Sequence, residues 1–358
     1  MSELQQMLTD SAQRLFGKEV TVAQIEAAER GEWPAPLWRT VEDSGLPRIF
    51  APEAADGAEA SWLEALPALL AAGRALAPLP FVDTALCGWV LARLAMPMPD
   101  GPLTLGQPSS GAVASNGSGQ WVFDGEVQAP WGRHASHVLL RAEAGDIAGG
   151  SIWLLLPTSG AAVEPGKNLA GEPRDTLRFQ SCTAIAAADD GAAAGLGDDA
   201  APRALGALAR AIQIAGVLER VLDQTVQYAG ERTQFGKPIG KFQAIQQQLA
   251  VLANEVVAAR MAVATACAQM HEPGWLWHAM VAKVICGHAA GRVAAIAHQV
   301  HGAIGFTYEH SLHFATRRLW SWRAEYGNEA HWSRAIGARA IQRGAAALWP
   351  DITGTSAS

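Results

Sequence analysis

Apolar residues recur three and four positions apart toward both ends of this chain and lose that rhythm in the middle. Over the first hundred residues the spacing predicts helices. Leu4, Met7, Leu8 and Ala12 start one apolar face, and Ile25 to Arg30 and Pro36 to Asp43 form shorter candidates. Ser61 to Leu76 is the clearest, with Leu63, Leu66, Leu69, Leu70 and Ala72 on one side and a stop at Ala77-Pro78-Leu79-Pro80. Asp83 is placed to cap a further helix through Leu86, Val90, Leu91 and Leu94. From about Pro97, glycine and proline punctuate short runs that read as strands: Leu103–Leu105, Trp121–Phe123, Val138–Leu140, Ile152–Leu156 and Thr176–Phe179. Asp124-Gly125 reads as a tight turn, Asn116-Gly117-Ser118 as another turn, and Ala186 to Gly195 as a surface link. Helical spacing returns over Leu205 to Tyr228, Phe242 to Met270, Trp275 to Ala303, and from Leu312 to Leu348 with a break near Gly327. The third of these is rich in Ala and Gly, which lets helices approach closely. The pattern predicts an α+β, mainly α chain: a helical domain over 1–100, a small β-domain over 101–199 and a helical bundle over 200–358.

The stretch Gly230 to Gln246 joins two strong helical patterns and concentrates three glycines, one proline and the cations Arg232, Lys237 and Lys241. A cation at a helix C-terminus suits the macrodipole, and a guanidinium there is equally able to fork onto a phosphate, a contact worth about 1.5–3 kcal/mol. Residue chemistry alone leaves both readings open.

Composition narrows the classes. Of 358 residues, 49% are hydrophobic and 17% charged, which describes a globular chain with a sizeable core. A net charge of −7 argues against a general nucleic-acid surface. Cys87, Cys182, Cys267 and Cys286 form no C-x-x-C pair, so neither zinc nor a disulfide framework is expected. His298 and His301 lie three apart, too few ligands for a metal, and no metal site is expected. Gly236 to Lys241 is not a P-loop, because no Ser or Thr follows the Lys. The N-terminus lacks a basic start followed by an apolar run, and no stretch reads as a membrane span, so a cytoplasmic location is expected.

Arg232-x-x-Phe235-Gly236-x-x-Ile239, followed by Gln243-Ala244-Ile245-Gln246, resembles the helix-loop-helix segment of the acyl-CoA dehydrogenase family. Gln299-Val300-His301-Gly302-Ala303-Ile304-Gly305-Phe306 resembles that family's Gln-x-x-Gly-Gly-x-Gly-Phe/Tyr motif. The resemblance is strong from about Ala201 to Arg343. It implies an FAD cofactor shared between subunits. Arg232 would pair with the pyrophosphate of a neighbour's FAD, Gln234 would replace a hydroxyl donor, and Phe235 would line the adenosine side. Ile239, Phe242 and Ile245 belong to the same loop segment. Gln299 and Val300, with the backbone at Gly302 and Ala303, would meet the same ADP half, although Ala303 stands where the family has its second glycine. Ala129 to Ala135 sits where the family's middle domain touches the flavin ring, so Trp131 either packs on the flavin or fills a sheet edge. Gln107 stands where the family's Thr-Glu-Pro-x-x-Gly-Ser motif has an acid.

The resemblance also implies a reaction: removal of the α-proton of an acyl-CoA thioester by a carboxylate base, with β-hydride transfer to flavin. Burial would raise that carboxylate's pKa and strengthen it. Counting from the Gln-x-x-Gly-Gly motif, Tyr326 falls on the base position and Glu325 one residue before it. On a helix one residue is a rotation of about 100°, which aims Glu325 away; in a bent loop it points in. The family's other position for the base, on the helix near Ala204 to Ala207, carries no acid. Two readings follow. In the first the chain is an FAD-dependent acyl-CoA dehydrogenase with Glu325 as base, reduced flavin passing electrons to an electron-transfer flavoprotein or similar acceptor, as a homodimer, tetramer or heteromer. In the second it is a non-catalytic partner that completes the FAD site of an active homologous neighbour. The short length and divergent middle domain resemble heteromeric members acting on bulky sterol-like acyl groups.

Overall fold

The computed structural model describes residues 2–116, 120–145, 150–189 and 195–353. A helical block comes first: α1 Glu3–Glu19, α2 Val22–Glu29, α3 Ala35–Asp43, α4 Trp62–Ala75 and α5 Phe81–Arg93. Ser61 caps α4 as half of a capping box with Glu64. Pro67 lies inside α4, where it removes one intrahelical donor; the carbonyl of Leu63 accepts instead from Gln5 Nε2 at 2.9 Å. Asp83 does not cap α5. The helix starts at Phe81 behind Pro80, and Asp83 is buried in its first turn, where it meets Arg210.

The sheet follows: β1 Leu103–Leu105, β2 Gln107–Ser115, β3 Trp121–Pro130, β4 His137–Ala144, β5 Gly150–Pro157, β6 Ala162–Glu164, β7 Arg174–Thr183 and β8 Ala186–Asp189. The order is β6-β7-β3-β2-β4-β5-β8, with β1 parallel on β4. Along β4 and β5, Leu139, Trp153 and Leu155 face the helical core, while Val138, Leu140, Ile152, Leu154 and Leu156 face a second core on the other side. Burial on both faces explains why these runs are continuously apolar rather than alternating. Asp124-Gly125 is not a turn. It lies within β3 at a register shift against β7, where a Cβ on Gly125 would come within 2.4 Å of the Ser110 carbonyl oxygen. Part of the expected Ala186–Gly195 link pairs as β8, and residues 190–194 lie outside the described residues, as do Gly117 and Ser118 of the expected Asn116 turn.

The bundle is α6 Ala201–Glu231, α7 Gln243–Ala268, α8 Trp275–His301, α9 Leu312–Ala324, α10 Glu329–Arg343 and α11 Ala345–Thr353; the hairpin β9 Thr233–Gln234 and β10 Lys237–Pro238 sits between α6 and α7. The architecture is the expected mainly helical one with a sheet in the middle. Helix α4 crosses α6 where both carry glycine. A Cβ on Gly216 would lie 2.3 Å from the Leu70 carbonyl oxygen, and one on Gly73 would lie 2.6 Å from that of Gln213. One sequence expectation needs correcting: α7 and the stretch Trp275–Phe306 are both long and apolar enough to cross a membrane by length and composition. In the fold α8 packs between α6, α7, α9 and α10, whereas only 28% of the apolar window of α7 is buried.

The crossing gives a direct test. Gly216→Ala is expected to destabilise the chain by about 1–3 kcal/mol in chemical denaturation, because backbone rather than a flexible side chain must move. An unchanged midpoint would contradict the close approach.

Candidate functional site

Helix α9 ends at Ala324, and the chain turns sharply. Glu325 is extended, and Tyr326 and Gly327 both take positive φ, 56° and 95°. The loop is therefore bent, not helical. Lys283 on α8 supports the bend from behind: it is buried, and its ammonium donates to the carbonyls of Trp322 and of Arg323, the latter at 3.0 Å. Burial, only partly opposed by Glu325, brings the Lys283 pKa down to about 7.

The bend delivers the Glu325 carboxylate to two arginines. Arg210 on α6 gives Nε to Oε2 at 2.6 Å, and Arg174 on β7 gives Nε to Oε1 at 2.9 Å and Nη2 to Oε2 at 3.0 Å. Asn168 Nδ2 adds a bond to Oε1 at 3.0 Å. Each arginine is shared onward. Arg210 forks onto Asp83 through two contacts of 3.1 Å. Arg174 reaches Glu172 at 2.9 Å, Glu172 lies 3.4 Å from Arg318, and Arg318 meets Glu29 of α2 at 3.1 Å, with Arg317 on the far carboxylate oxygen. Burial alone would raise the Glu325 pKa. Arg174 and Arg210, with the bonds from Asn168 and Arg210, outweigh burial and hold it at about 2. The expectation of a carboxylate strengthened as a base by burial is thus reversed by its partners.

Glu325 and Tyr326 line a cleft of about 130 Å³ against the sheet, with Gln107, Gln128, Pro130 and Arg174. That is small beside the ~300–1,000 Å³ of a typical small-molecule site. Tyr326 donates to the Leu105 carbonyl at 3.2 Å, and its ring occupies the space a side chain at Gly206 would need, 2.3 Å from a Cβ built there. Burial pushes the phenol pKa up, so it is no base at neutral pH. Trp131 lies at the end of β3 with positive φ and is 4% exposed; Trp33 meets it edge-on at 6.3 Å and stacks on His134 at 4.7 Å.

The two family-like motifs lie on another face and are joined by one apolar cluster. Ala229, Ile239 and Val300 are its buried members, with Tyr228, Phe242 and Ile245 packed on them. Ile239, Phe242, Ile245 and Val300 therefore anchor the loop to α8. Phe235 and Gly236 form the two-residue turn of the β9–β10 hairpin, both at positive φ, and Phe235 is 92% exposed. Lys237 sits over the Phe242 ring at 4.5 Å. Arg232 and Gln234 are exposed, and among the described residues nothing accepts from the Arg232 guanidinium. Gln299, Gly302 and Ala303 are exposed at the end of α8, where Gln299 and Gly302 line a cleft of about 470 Å³ with His298, Phe306 and Trp320. Gly302 takes φ 65°, which favours glycine, while Ala303 in the following turn faces solvent. Val257 and Met261 of α7 are about as exposed, at 60% and 59%. Among the described residues no group of His, Cys, Asp and Glu has metal-site geometry.

The family model for the acyl-CoA dehydrogenase C-terminal domain matches residues 203–341, and that for the N-terminal domain matches residues 2–97. An acyl-CoA dehydrogenase of Mycobacterium tuberculosis, IpdE2, is 32% identical over 88% of this chain and 91% of its own length. The chain belongs to the acyl-CoA dehydrogenase family. This is the family whose motifs the sequence resembles, and it makes the chain an oxidoreductase of the acyl-CoA dehydrogenase type. Among solved structures, the ChsE4–ChsE5 complex of Mycobacterium tuberculosis superposes with a TM-score of 0.83 at 25% identity, covering 95% of this chain and 97% of that one. Butyryl-CoA dehydrogenase of Megasphaera elsdenii shares the fold at a TM-score of 0.83 and 20% identity, covering 95% and 98%.

Sequence reasoning missed Arg174 and Arg210 as partners of Glu325, and Glu172 and Asp83 as the carboxylates those arginines share. The available signal was Arg210, a lone charge inside the apolar run from Leu205 to Leu218. The clamp predicts a pH dependence. The folded pKa of Glu325 is depressed from 4.5 to about 2, so its contribution to stability is complete above pH 4.5 and is lost as pH falls toward 2. Glu325→Gln is expected to cost about 3–5 kcal/mol at pH 7, since two buried guanidiniums lose their shared counter-charge, and to flatten that acid slope. Urea titrations at several pH values report both; identical slopes would contradict the clamp.

Proposed function

We propose that this chain is one subunit of a heteromeric, FAD-dependent acyl-CoA dehydrogenase, in which it completes the flavin site of a homologous partner that carries the base. The observation that carries this reading is the Glu325 carboxylate held as an anion between Arg174 and Arg210. A base of pKa about 2 has little affinity for a proton, and freeing it would strand two buried guanidiniums. The 130 Å³ cleft beside it has no room for a flavin ring and a thioester together.

The residues on the other face do fit the ADP half of FAD. Arg232 offers a guanidinium with no acceptor among the described residues, Phe235 an uncovered ring, and Gln299 a polar group on an open cleft. Ile239, Phe242, Ile245 and Val300 fix the loop that presents them. FAD, when bound, accepts the β-hydride of an acyl-CoA whose α-proton a base removes. This chain's part is to bind and orient through Arg232, with Gln234 and the backbone at Gly302 and Ala303 alongside. The exposed apolar face of α7 and the Phe235–Phe306 surface suit burial against a homologous chain. The ChsE4–ChsE5 structure, a complex of two chains, supports a heteromer. An electron-transfer flavoprotein or similar acceptor, and a bulky sterol-type acyl group, complete the reading.

One observation favours the rival in which this chain is itself the catalyst: the bend at Tyr326 turns Glu325 toward the sheet rather than away. Stopped-flow flavin reduction separates the two. The chain purified alone is expected to give no reduction with a panel of acyl-CoAs, and the co-expressed heteromer a rapid one. Arg232→Ala is expected to lower the heteromer's flavin content without unfolding it. Flavin reduction by this chain alone, slowed about 10²–10⁴-fold in Glu325→Gln, would overturn the partner reading.

A further inference from the structure

A third cleft, of about 540 Å³, opens between α1 and α4 on one side and α6 and α7 on the other. Its size is that of a small-molecule site. Phe16, Leu70 and Ala71 give it an apolar floor, and Arg74, Arg220 and Arg260 bring three guanidiniums to it. Two of these are matched. Arg74 pairs with Asp223 and lies 3.7 Å from Glu219, and Arg260 donates to Glu219 at 2.7 Å. Arg220 has no carboxylate. Among the described residues its one acceptor is the Arg74 carbonyl at 3.3 Å, and its Nε is buried without a partner. Three guanidiniums thus face two carboxylates, with one positive charge left over on a largely buried group. Burial and the neighbouring Arg318 and Arg74 lower its pKa, as expected of an unmatched cation.

A largely buried guanidinium with no counter-charge and an unpartnered Nε is costly, and a fork of this kind is suited to a planar carboxylate. We infer that this cleft binds an organic monoanion with an apolar body, its carboxylate on Arg220 and its body on Phe16, Leu70 and Ala71. A single surplus charge suits one carboxylate better than a dianion, and the apolar floor has no use for a bare inorganic ion. The site is separate from the Glu325 cleft: Arg220 lies ten residues along α6 from Arg210, about 15 Å at the helical rise.

Sodium octanoate is the probe, titrated calorimetrically into the full-length protein in the assembly in which it purifies. Saturable binding of one octanoate per chain is expected. Arg220→Gln is expected to weaken it about tenfold or more. Ala71→Trp, which fills the floor and leaves every charge in place, is expected to abolish it with unchanged far-UV circular dichroism. Inorganic phosphate at the same concentrations is expected to give no saturable heat. The inference is overturned if octanoate does not saturate, if it binds wild type and both variants equally, or if phosphate competes as well as octanoate does.

Discussion

Four arginines and four carboxylates, alternating from Asp83 through Arg210, Glu325, Arg174, Glu172, Arg318 and Glu29 to Arg317, tie the three parts of the molecule together. Asp83 and Glu29 come from the first helical block, Glu172 and Arg174 from the edge of the sheet, and the remainder from the bundle. The cluster is balanced in charge, which is the condition under which buried ions are tolerated. Its net stabilisation over an apolar core of the same volume is small. Its specificity is high, because any shift of the sheet against the bundle leaves a charge unmatched. The helices and sheet could pack in several ways by area alone; this chain of ions selects one.

The same constraint decides what the site can do. Each bond that a guanidinium gives a carboxylate lowers its pKa and weakens it as a base. The depression from 4.5 to about 2 corresponds to roughly 3 kcal/mol against protonation. The Asp83–Arg210 pair, with Gln213 accepting from Arg210 at 2.6 Å, also fills the space between α5 and α6. The interaction that fixes the fold therefore also fills the interior on the side where Glu325 points, whereas Arg232 and Gln299 stay exposed on another face.

How much of this was legible in the sequence depends on range. Helix period, the helix from Ser61 and the proline stop after it are local, and the structure follows them within a few residues. Strand β2 went unread because Gln107 to Ser115 has one β-branched residue and otherwise small or polar ones. It pairs because β3 holds it along eight positions. Asp83 looked like a cap because aspartate near a helix start usually is one, but its partner lies 127 residues away. Arg210 and Arg174 are 115 and 151 residues from Glu325, and no periodicity connects them. The bend after Ala324 was open in the sequence for a related reason: Tyr326 at positive φ is unfavourable alone and is held by its bond to Leu105 and its packing on Gly206.

Gly206 closes the argument about the base. The family has two places for this carboxylate, one on the loop after α9 and one on α6 near Ala204 to Ala207. Here the loop position is Tyr326 and the α6 position is occupied by the Tyr326 ring itself, so a longer side chain at Gly206 and this tyrosine are mutually exclusive. A carboxylate free of guanidiniums at either position is thus not one substitution away. On the loop, freeing Glu325 would mean removing Arg174 and Arg210, which would leave Asp83 without its arginine and Glu172 with Arg318 alone. On α6, the tyrosine would have to leave and the Leu105 carbonyl would lose its donor. The packing around one residue couples both positions to the ion chain.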